Sequence, residues 1–433
     1  MINFQFFRKK YKEFVYESFT LDCSAGVLTI NYKFRIDPGI SFSPKVKIFG
    51  ISKMAYIKLD LKVLSNLAFN LGMIEGISYW KSTCAQTIRV ECGTLDKYQI
   101  KWWKKLFIKG MGQFYYENKI NFRPKDFINI VSSGPKLGSK ASLTGDNVLG
   151  LDGGGKDSAV TLELLNREFR NIGALVLKSS NVISNISSSL LVASKSGVKK
   201  IHLAERIIDP EILALNQKDF LNGHTPFSAY LAFLSILVSY VFSYKYIALS
   251  NERSSNEGNV RYLGYEINHQ YSKTFEYEND FRSYCAKYLS NAQYFSFLRP
   301  LFEIQISKIF SKYSKFFKVI RSCNIGQQEG IWCCKCPKCL STFMLLYPFL
   351  EGKIIRVFPS NLYENSRLES VINSLTSKSS VKPFECVGTK RELEIALEWN
   401  QKKKEFASIL NQWNGNNNLP KTFEKLLRKE MYE

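Results

Sequence analysis

The sequence has 433 residues, of which 45% are hydrophobic and 23% are charged, and its formal net charge is +22 at pH 7. This length and composition predict a globular protein of two to three domains and exclude a disordered chain. The positive charge favours an anionic partner, either nucleic acid or a nucleotide-sugar substrate. No nucleic-acid-binding signature accompanies the scattered basic residues, so nucleic acid is the less favoured partner.

The first ten residues do not have the pattern of a secretory signal, because the basic residues follow the apolar ones and no cleavage site comes after them. Residues 225–244 contain no charged residue and are long enough to cross a bilayer. Serine and tyrosine residues dilute this segment, however, and its neighbours have the pattern of strands in one α/β sheet. We therefore expect a helix buried against that sheet, no membrane contact and a cytoplasmic protein.

The chain before the first clear linker has the pattern of an α+β domain. An alternating strand is predicted at 26–34, and helices are predicted at 60–71 and 96–109. We expect this N-terminal domain to span residues 1–131. A stretch rich in Gly, Ser and Pro then predicts a linker over residues 132–146.

Beyond the linker, short apolar runs alternate with helical patterns, which is typical of a parallel sheet with helices on both faces. The predicted strands are 148–151, 174–177, 200–203, 246–249 and 319–321. We expect a catalytic α/β domain over residues 147–350, followed by a basic helical extension over residues 351–433. Ligands of such a sheet bind at the carboxyl ends of its strands.

A glycine-rich loop follows the first of these strands and precedes a helical pattern. Its residues are Gly153, Gly154, Gly155, Lys156, Asp157 and Ser158. Glycine N–H groups and a helix N-terminus together bind phosphate, whereas a plain turn would need only one glycine. The Walker loop needs Ser or Thr after its lysine, where this chain has Asp157. The Ser-Gly-Gly-x-Asp-Ser loop of ATP pyrophosphatases fits better, with Gly153 in place of its first serine, and it predicts ATP as a cofactor.

Two polar segments come after the predicted strand 246–249. Their candidate site residues are Asn251, Glu252, Arg253, Ser254, Glu257, His269 and Lys273. The basic residues Arg253 and Lys273 are candidates for binding phosphates or carboxylates, and the two glutamates are candidates for holding magnesium. His269 is an acid–base candidate, whereas His202 and His224 are expected to be structural. The alternative is that these segments form a solvated loop.

Five of the ten cysteines lie within seventeen residues. Four of them, Cys323, Cys333, Cys336 and Cys339, have the spacing of a four-thiolate metal site, and structural zinc is the metal that we expect there. An iron–sulfur cluster is the alternative, because the same thiolates can bind one. The remaining cysteine, Cys334, is expected to point elsewhere. This crowding without a secretory signal indicates a reducing compartment rather than a disulfide framework.

Several separate motifs, in order along the chain, carry a resemblance to a known family. They lie at 71–81, 114–118, 154–158, 251–254, 268–273, 332–339 and 384–388. Through them the chain resembles the ATP-dependent UDP-N-acetylmuramoyl-L-alanyl-L-glutamate epimerase family (MurL), a two-domain bacterial family, over most of its length. The resemblance implies a PP-loop fold, similar to the adenine nucleotide alpha hydrolases, for the catalytic domain.

The reaction that this resemblance implies inverts the terminal L-glutamate of an anionic UDP-muramoyl-dipeptide, a peptidoglycan precursor, to D-glutamate. It consumes ATP with magnesium, passes through an acyl-adenylate, and releases AMP and pyrophosphate. The loop glycines and Ser158 are then expected around the phosphates, and Asp157 near magnesium. The base that removes the α-proton stays open among Lys273, His269 and Cys334.

Two alternatives remain at this point. The first is a 7-cyano-7-deazaguanine synthase type of enzyme, which joins a similar loop to a similar four-cysteine site and also adenylates a carboxylate. The large N-terminal domain and the motif at 251–254 argue against it. The second is a nucleic-acid-binding protein without enzymatic activity, for which only the net charge argues.

Overall fold

The computed structural model describes residues 4–179, 187–323, 325–326, 329–377 and 381–432. Its N-terminal part consists of a set of mainly antiparallel strands covered by helices. The elements of this part are α1 (Phe4–Lys10), β1 (Glu13–Ser24), β2 (Val27–Asp37), β3 (Ile40–Phe42), β4 (Lys45–Phe49), α2 (Lys53–Ile57), α3 (Leu61–Trp80), β5 (Thr87–Val90), α4 (Lys97–Gly110), α5 (Gly112–Glu117) and β6 (Asn129–Ser132).

The middle part alternates strands and helices, as the sequence predicts. Its elements are β7 (Val148–Asp152), α6 (Lys156–Glu168), β8 (Ile172–Ser179), α7 (Ser188–Lys195), β9 (Lys200–Ile207), α8 (Glu211–Gln217), α9 (Phe227–Phe242), β10 (Tyr246–Leu249), β11 (Val260–Tyr262), β12 (Tyr265–Ile267), α10 (Phe275–Tyr288), β13 (Gln293–Ser296) and α11 (Glu303–Ser311). Four of the five predicted parallel strands are thereby confirmed.

The C-terminal part is helical among the described residues. Its helices are α12 (Pro337–Leu350), α13 (Glu369–Thr376), α14 (Lys390–Leu397), α15 (Lys403–Leu410) and α16 (Lys421–Tyr432). Short 3₁₀ turns lie at Arg253–Asn256, Tyr271–Lys273, Ser314–Phe316, Glu351–Arg356, Leu362–Glu364 and Ser366–Leu368. The C-terminal helices share one apolar core with α6 and α11, so this part is integrated with the sheet rather than separate from it.

The two predicted N-terminal helices are confirmed, and their first residues are set by polar caps. The Asp60 carboxylate accepts the Lys62 N–H at the start of α3. Asp96 and Gln99 form a reciprocal capping box at the start of α4. Such caps satisfy N–H groups that have no partner within the helix. Helix α3 continues to Trp80, beyond the predicted end at 71. Nearly all of its residues are buried, so its sequence has no periodic apolar face from which its full length could be predicted.

One large sheet organises the whole molecule. Its eleven strands include a continuous path in the order β13-β10-β7-β8-β9-β4-β2-β1-β5-β6, with β3 paired to β2. The strands from β13 to β9 are all parallel. The chain runs outward from β7 through β8 to β9 and then crosses to β10 on the other side of β7. The carboxyl end of β7 therefore lies at the point where the strand order reverses, which is where open α/β sheets bind ligands.

The N-terminal strands join this parallel sheet directly. Strand β4 pairs antiparallel with β9, so that Lys45 lies opposite Ile207 and Ile48 lies opposite Ala204. The molecule is thus mixed α/β, with a large sheet whose central strands are parallel. The division at residues 132–146 stays a prediction, because hydrogen bonds of one sheet run through both sides of it.

Helices cover both faces of the parallel strands, as predicted. Alternate residues of β7 face opposite directions, with Val148 in the core that contains α6 and Leu149 in the core that contains α9. Strand β7 is buried at all five positions. Burial on both faces explains why parallel strands have continuous apolar sequences.

The predicted strand at 319–321 is wrong. These residues follow a 3₁₀ turn, and Ile320 is buried in the core without strand pairing. The fifth parallel strand is β13 instead, which pairs with β10. Its first residue is a glutamine and it has only four residues, so its apolar run is too short to be recognised.

The apolar segment at 225–244 forms α9, as predicted, and most of its residues are buried. Helix α9 packs between α3 and the central strands β7 and β10. Ser235 and Ser239 are fully buried on it, and the Ser235 hydroxyl donates to the Ala232 carbonyl oxygen. Among the described residues, no helix combines the length and the apolar character needed to cross a membrane.

Candidate active site

The glycine loop lies at the carboxyl end of β7, where the sheet topology predicts a ligand. Gly155 caps the N-terminus of α6 without a side-chain hydrogen bond. Gly154 has a φ of +77°, which side-chain-bearing residues rarely adopt. Its carbonyl oxygen accepts the Arg321 N–H at 2.8 Å. The predicted arrangement of strand, glycine turn and helix is confirmed, with the N–H groups of the first turn of α6 available to an anion.

The loop allows a matched test of its backbone. A Cβ atom at Gly154 would lie 2.7 Å from the Ser189 nitrogen, whereas a Cβ atom at Gly153 would meet nothing within 4 Å. We expect Gly154→Ala to lower stability by about 1–3 kcal/mol and to weaken ATP binding, and we expect Gly153→Ala to change neither. Thermal unfolding and ATP titration of the two variants measure both effects. Equal behaviour of the two variants would contradict this account of the loop.

Lys156 lies buried between two carboxylates. Its Nζ atom is 2.5 Å from Asp157 Oδ1 and 3.0 Å from Glu303 Oε2. Burial would lower the pKa of Lys156, but the charges of Asp157 and Glu303 raise it above its usual value. Burial would raise the pKa of Glu303, but the ammonium groups of Lys156 and Lys338 lower it. The loop therefore carries a charged triad whose Asp157 is the most exposed member.

Asp152 adds a third acidic group at the end of β7. The Gly154 N–H donates to its Oδ1 atom at 2.7 Å, and its Oδ2 atom has no hydrogen-bond partner among the described residues. Burial raises the pKa of Asp152 to about 7. A buried carboxyl group is costly to keep ionised unless a cation or hydrogen-bond donor compensates it, so Asp152 fits a site that a cation occupies.

This shift predicts a pH dependence of stability. The pKa of an Asp in the unfolded chain is near 3.9, about three units below the pKa of Asp152 in the native state. The native state therefore binds more protons than the unfolded state between about pH 4 and 7. The free energy of unfolding falls as the pH rises through this range. The full penalty is on the order of 4 kcal/mol. We expect Asp152→Asn to gain stability relative to the wild type between pH 5 and pH 8. Thermal unfolding at both pH values, with exposed Asp146→Asn as control, measures it, and a difference independent of pH would refute it.

The predicted segment 251–254 follows β10. Three of its residues lie near the glycine loop, and the fourth contacts the C-terminal part of the chain. The Glu252 side chain is buried, and burial and the nearby Glu303 charge raise its pKa. Ser254 donates to Glu392 Oε2 at 2.6 Å, and Asn251 donates to Ser296 Oγ at 3.1 Å. These three residues lie at the loop edge of the sheet.

Arg253 does not join the charged groups around the loop. Its guanidinium lies 4.2 Å from the centre of the Phe302 ring, and its Nη1 atom is 3.5 Å from Gln412 Oε1. It therefore contacts the C-terminal part of the chain. The other predicted magnesium candidate, Glu257, is bound by the buried Lys382 ammonium at 2.6 Å.

Lys273 lies close to a cysteine that the sequence analysis gave no role. Its Nζ atom donates to Cys386 Sγ at 3.2 Å. Burial would lower the pKa of Lys273, but Cys386, Glu252 and Asp157 raise it. Lys338 also reaches this place, because its Nζ atom donates to the Cys386 carbonyl oxygen. Two ammonium groups thus meet at Cys386, within electrostatic reach of the loop.

His269 lies near Lys273 and Lys338, and its hydrogen bond to Gln113 fixes the tautomer of its ring. Its Nδ1 atom is 2.5 Å from Gln113 Oε1, and Gln113 Nε2 donates to Glu117 Oε1 at 2.7 Å. Since the Glu117 carboxylate can only accept, the amide oxygen of Gln113 faces His269, and Nδ1 carries the proton. Burial and the charges of Lys273 and Lys338 lower the pKa of His269 to about 4. The imidazole is therefore neutral at pH 7, with its lone pair on Nε2.

The other two histidines have different surroundings. His202 is 2.7 Å from the Tyr244 hydroxyl and stacks on Phe242, which agrees with the structural role expected of it. The His224 ring lies 4.5 Å from the His269 ring, so it is a direct neighbour of a predicted site residue.

The four predicted metal ligands converge. The sulfur atoms of Cys323, Cys333, Cys336 and Cys339 all lie within 4.8 Å of one another. Two of these separations are 4.0 Å (Cys323–Cys336) and 3.7 Å (Cys333–Cys339). A tetrahedral ion with bonds of about 2.3 Å to sulfur holds its ligands about 3.8 Å apart. The cluster could therefore hold a metal ion, and Cys334 lies outside it, with its sulfur 3.5 Å from the Trp332 carbonyl oxygen.

Residues next to the cysteine cluster contact the glycine loop. Arg321, whose N–H binds Gly154, is two residues from the ligand Cys323. The hydroxyl of Ser322 would lie 2.7 Å from a Cβ atom at Gly155, so this segment packs tightly on the loop. Lys338, which contacts Cys386, lies between two of the ligands. A metal ion in the cluster would fix the segments that position these contacts.

Comparison with known proteins identifies the family of this chain. Residues 5–297 match the family described as MurL N-terminal domain, and residues 319–425 match the one described as MurL C-terminal domain. The chain belongs to the MurL family. The N-terminal MurL match contains the glycine loop and Lys273, and the C-terminal match contains the cysteine cluster and Cys386, so both contribute to the site.

Curated relatives in the MurL family are similar along most of their length. A UDP-N-acetyl-alpha-D-muramoyl-L-alanyl-L-glutamate epimerase of Xanthomonas oryzae pv. oryzae is 28% identical over 392 residues, covering 87% of this chain and 83% of its own. The protein of the same name from Salinispora tropica is 29% identical over 399 residues, covering 89% and 84%. A third, from a Micromonospora species, is 26% identical over 394 residues, covering 89% and 86%.

Three residues of the candidate site were missed by sequence reasoning. Glu303 follows β13, the strand that was not recognised, so its place at the carboxyl end of the sheet could not be inferred. Cys386 lies in the motif 384–388, which was recognised but given no role. Lys338 lies inside the Cys-Pro-Lys-Cys sequence and was given no role of its own.

Proposed function

We propose that this chain is an ATP-dependent epimerase that inverts the terminal L-glutamate of UDP-N-acetylmuramoyl-L-alanyl-L-glutamate. The observation that carries the proposal is the match to relatives of that name over 87–89% of this chain. The charged groups at the glycine loop support the ATP dependence. We also propose that the parallel part of the sheet is an ATP-pyrophosphatase fold, because its loop lies at the strand-order reversal and begins α6.

The chemistry explains why such a reaction needs ATP. The α-proton of a glutamate is hard to remove while the adjoining carboxylate is ionised, because a second negative charge would accumulate beside it. Adenylation neutralises that carboxylate and turns its carbonyl into an acceptor of the electron pair. Hydrolysis of the acyl-adenylate then releases AMP, with pyrophosphate already formed in the first step.

The loop has the groups that this first step requires. N–H groups of Gly153, Gly154 and Gly155 and the hydroxyl of Ser158 would bind phosphate oxygens at the N-terminus of α6. Lys156 forms ion pairs with Asp157 and Glu303, so its positive charge is fixed beside the loop. Asp157 and Glu252 would hold magnesium, which screens the charge of the triphosphate. Asp152 and Glu303 add to the negative field that attracts such a cation.

Two of the three candidate bases, Lys273 and His269, differ in their suitability. Neighbouring anions keep the Lys273 ammonium protonated, so it is better suited to binding an anionic carboxylate or phosphate than to removing a proton. The neutral His269 ring presents a lone pair on Nε2 and can accept a proton. The net charge of +22 favours a substrate that carries a diphosphate and a glutamyl carboxylate.

For the cysteine cluster we propose structural zinc. Its sulfur separations agree with one tetrahedral ion, and no side chain other than the four cysteines belongs to the cluster among the described residues. An iron–sulfur cluster remains the alternative. Elemental analysis together with the visible absorption spectrum separates them, since zinc thiolates are colourless and iron–sulfur clusters absorb visible light.

The proposal is tested by incubating the purified protein with magnesium, ATP and the UDP-muramoyl-dipeptide. We expect one AMP and one pyrophosphate for each D-glutamate found after acid hydrolysis, and no D-glutamate without ATP. A substrate without the terminal glutamate is the matched control and should give neither product. Conversion of carboxylated deazapurine and ammonia to a nitrile, without D-glutamate formation, would instead identify the synthase type of enzyme.

A further inference from the structure

Resting on the proposed function, we propose that the sulfur of Cys386 removes the α-proton from one face of the adenylated glutamate. Neither the sequence motifs nor the family match assigns this residue a role. The inference goes beyond ATP-dependent epimerisation because it names the group that acts on the reacting carbon. In this proposal Lys273 is a positioning residue, which holds the Cys386 sulfur and stabilises its thiolate.

The position of Cys386 supports this role. The Cys386 residue is half-buried and lies where the Lys273 and Lys338 side chains meet. Its sulfur accepts a hydrogen bond from Lys273 Nζ at 3.2 Å. Glu303 lies within electrostatic reach of the same sulfur and binds Lys156 of the loop at 3.0 Å. Cys386 is therefore connected to the ATP-binding loop through one carboxylate.

The charges around Cys386 favour its thiolate. Burial alone would raise the pKa of the thiol, but the ammonium groups of Lys273 and Lys338 lower it below its usual value despite the opposing charge of Glu303. The other cysteines outside the metal cluster differ, since burial raises the pKa of Cys23 and raises that of Cys285 to about 12. A thiolate is a base as well as a nucleophile, and lysine neighbours are the usual way to maintain one.

The proposed step balances without an added oxidant or reductant. The Cys386 thiolate forms an S–H bond as the Cα–H bond of the glutamyl adenylate breaks, and the electron pair of that bond moves to the acyl carbonyl oxygen. A proton from water then adds to the opposite face of Cα, and the electron pair returns to form the new C–H bond. The thiol gives its proton to solvent and becomes a thiolate again beside Lys273.

The test separates proton removal from adenylation. Substrate-dependent exchange of labelled pyrophosphate into ATP reports adenylation, and deuterium uptake at Cα in D2O reports proton removal. For Cys386→Ala we expect pyrophosphate exchange within about threefold of wild type and a loss of deuterium uptake and D-glutamate formation on the order of 10²–10⁴-fold. The matched control, Cys23→Ala on β1, should keep both activities.

Two outcomes would overturn the assignment. Wild-type deuterium uptake in Cys386→Ala would show that another group removes the proton. The second outcome is a Cys386→Ala variant that unfolds at the wild-type temperature but loses both pyrophosphate exchange and epimerisation. That result would show that Cys386 serves ATP binding instead. Failure of the proposed function is distinct from both, because the wild-type protein itself would then form no D-glutamate.

A second readout follows the sulfur without activity. We expect iodoacetamide to alkylate Cys386 faster than Cys23 at pH 7, measured peptide by peptide, because only the thiolate reacts. Lys273→Met should slow alkylation of Cys386 by about tenfold for each unit by which its pKa rises and leave Cys23 unchanged. An unchanged rate at Cys386 in this variant would contradict the pairing of Lys273 with the thiolate.

Discussion

Replacing Cys336 by serine is expected to remove the bound metal ion and to destabilise the part of the chain around the loop. Cys336 supplies one of four converging sulfurs and also caps the N-terminus of α12, accepting the Cys339 N–H. Metal binding of this kind contributes folding free energy directly, about 10–16 kcal/mol in small zinc peptides. We expect metal content to fall from one ion per chain to nearly none and the unfolding temperature to fall by well over 5 °C.

The chain offers a matched control two residues away. The Cys334 sulfur lies outside the cluster, so Cys334→Ser should keep the metal ion and the unfolding temperature. Elemental analysis and thermal unfolding of the two variants, purified in parallel, check both expectations. If Cys336→Ser retained one metal ion per chain, the four-cysteine site would be refuted. If Cys334→Ser lost it, the assignment of the ligands would be wrong.

Replacing Asp157 by asparagine is expected to abolish AMP and pyrophosphate formation. Its carboxylate is the most exposed of the charged triad at the loop, and we propose that it holds magnesium beside the phosphates. Loss of such an electrostatic group costs on the order of 10³-fold in kcat. The fold should persist, because Lys156 keeps its contact with buried Glu303. Pyrophosphate release at saturating ATP and magnesium measures the effect.

The control for Asp157 is Asp146→Asn, an exposed change outside the loop. It should leave both the rate and the unfolding temperature unchanged. An Asp157→Asn protein with more than a tenth of wild-type pyrophosphate release would remove the loop from the proposed mechanism. A rise in the magnesium concentration needed for half-maximal rate in any weakly active variant would support the metal-binding role.

The parts of the fold that depend on local sequence were predictable. The run of β7, three glycines and α6 is continuous in sequence, and each element is specified by the residues within it. The antiparallel pairing of β4 with β9 was not predictable, because it joins segments that are distant in sequence and whose apolar patterns would suit many neighbours. Strand β13 was missed for a related reason, since four residues beginning with a glutamine give no clear pattern.

The same distinction holds for the candidate site. The cysteine ligands were predictable because their spacing lies within one short segment, and the glycine loop because its residues are consecutive. The contact of Lys273 with Cys386 joins residues that are 113 positions apart. The pKa of the Cys386 thiol is lowered by Lys273 and Lys338 together, against the effect of burial. No local pattern in the sequence contains that information.

The most direct test of the account is to follow oxygen from the substrate into AMP. The α-carboxylate of the terminal glutamate is labelled with ¹⁸O, and the protein is supplied with magnesium and unlabelled ATP. An acyl-adenylate that is opened by water at its carbonyl carbon leaves one ¹⁸O atom in the phosphate of AMP. We predict one labelled oxygen in AMP for each D-glutamate formed. D-Glutamate accompanied by unlabelled AMP, or formed without ATP, would contradict the account.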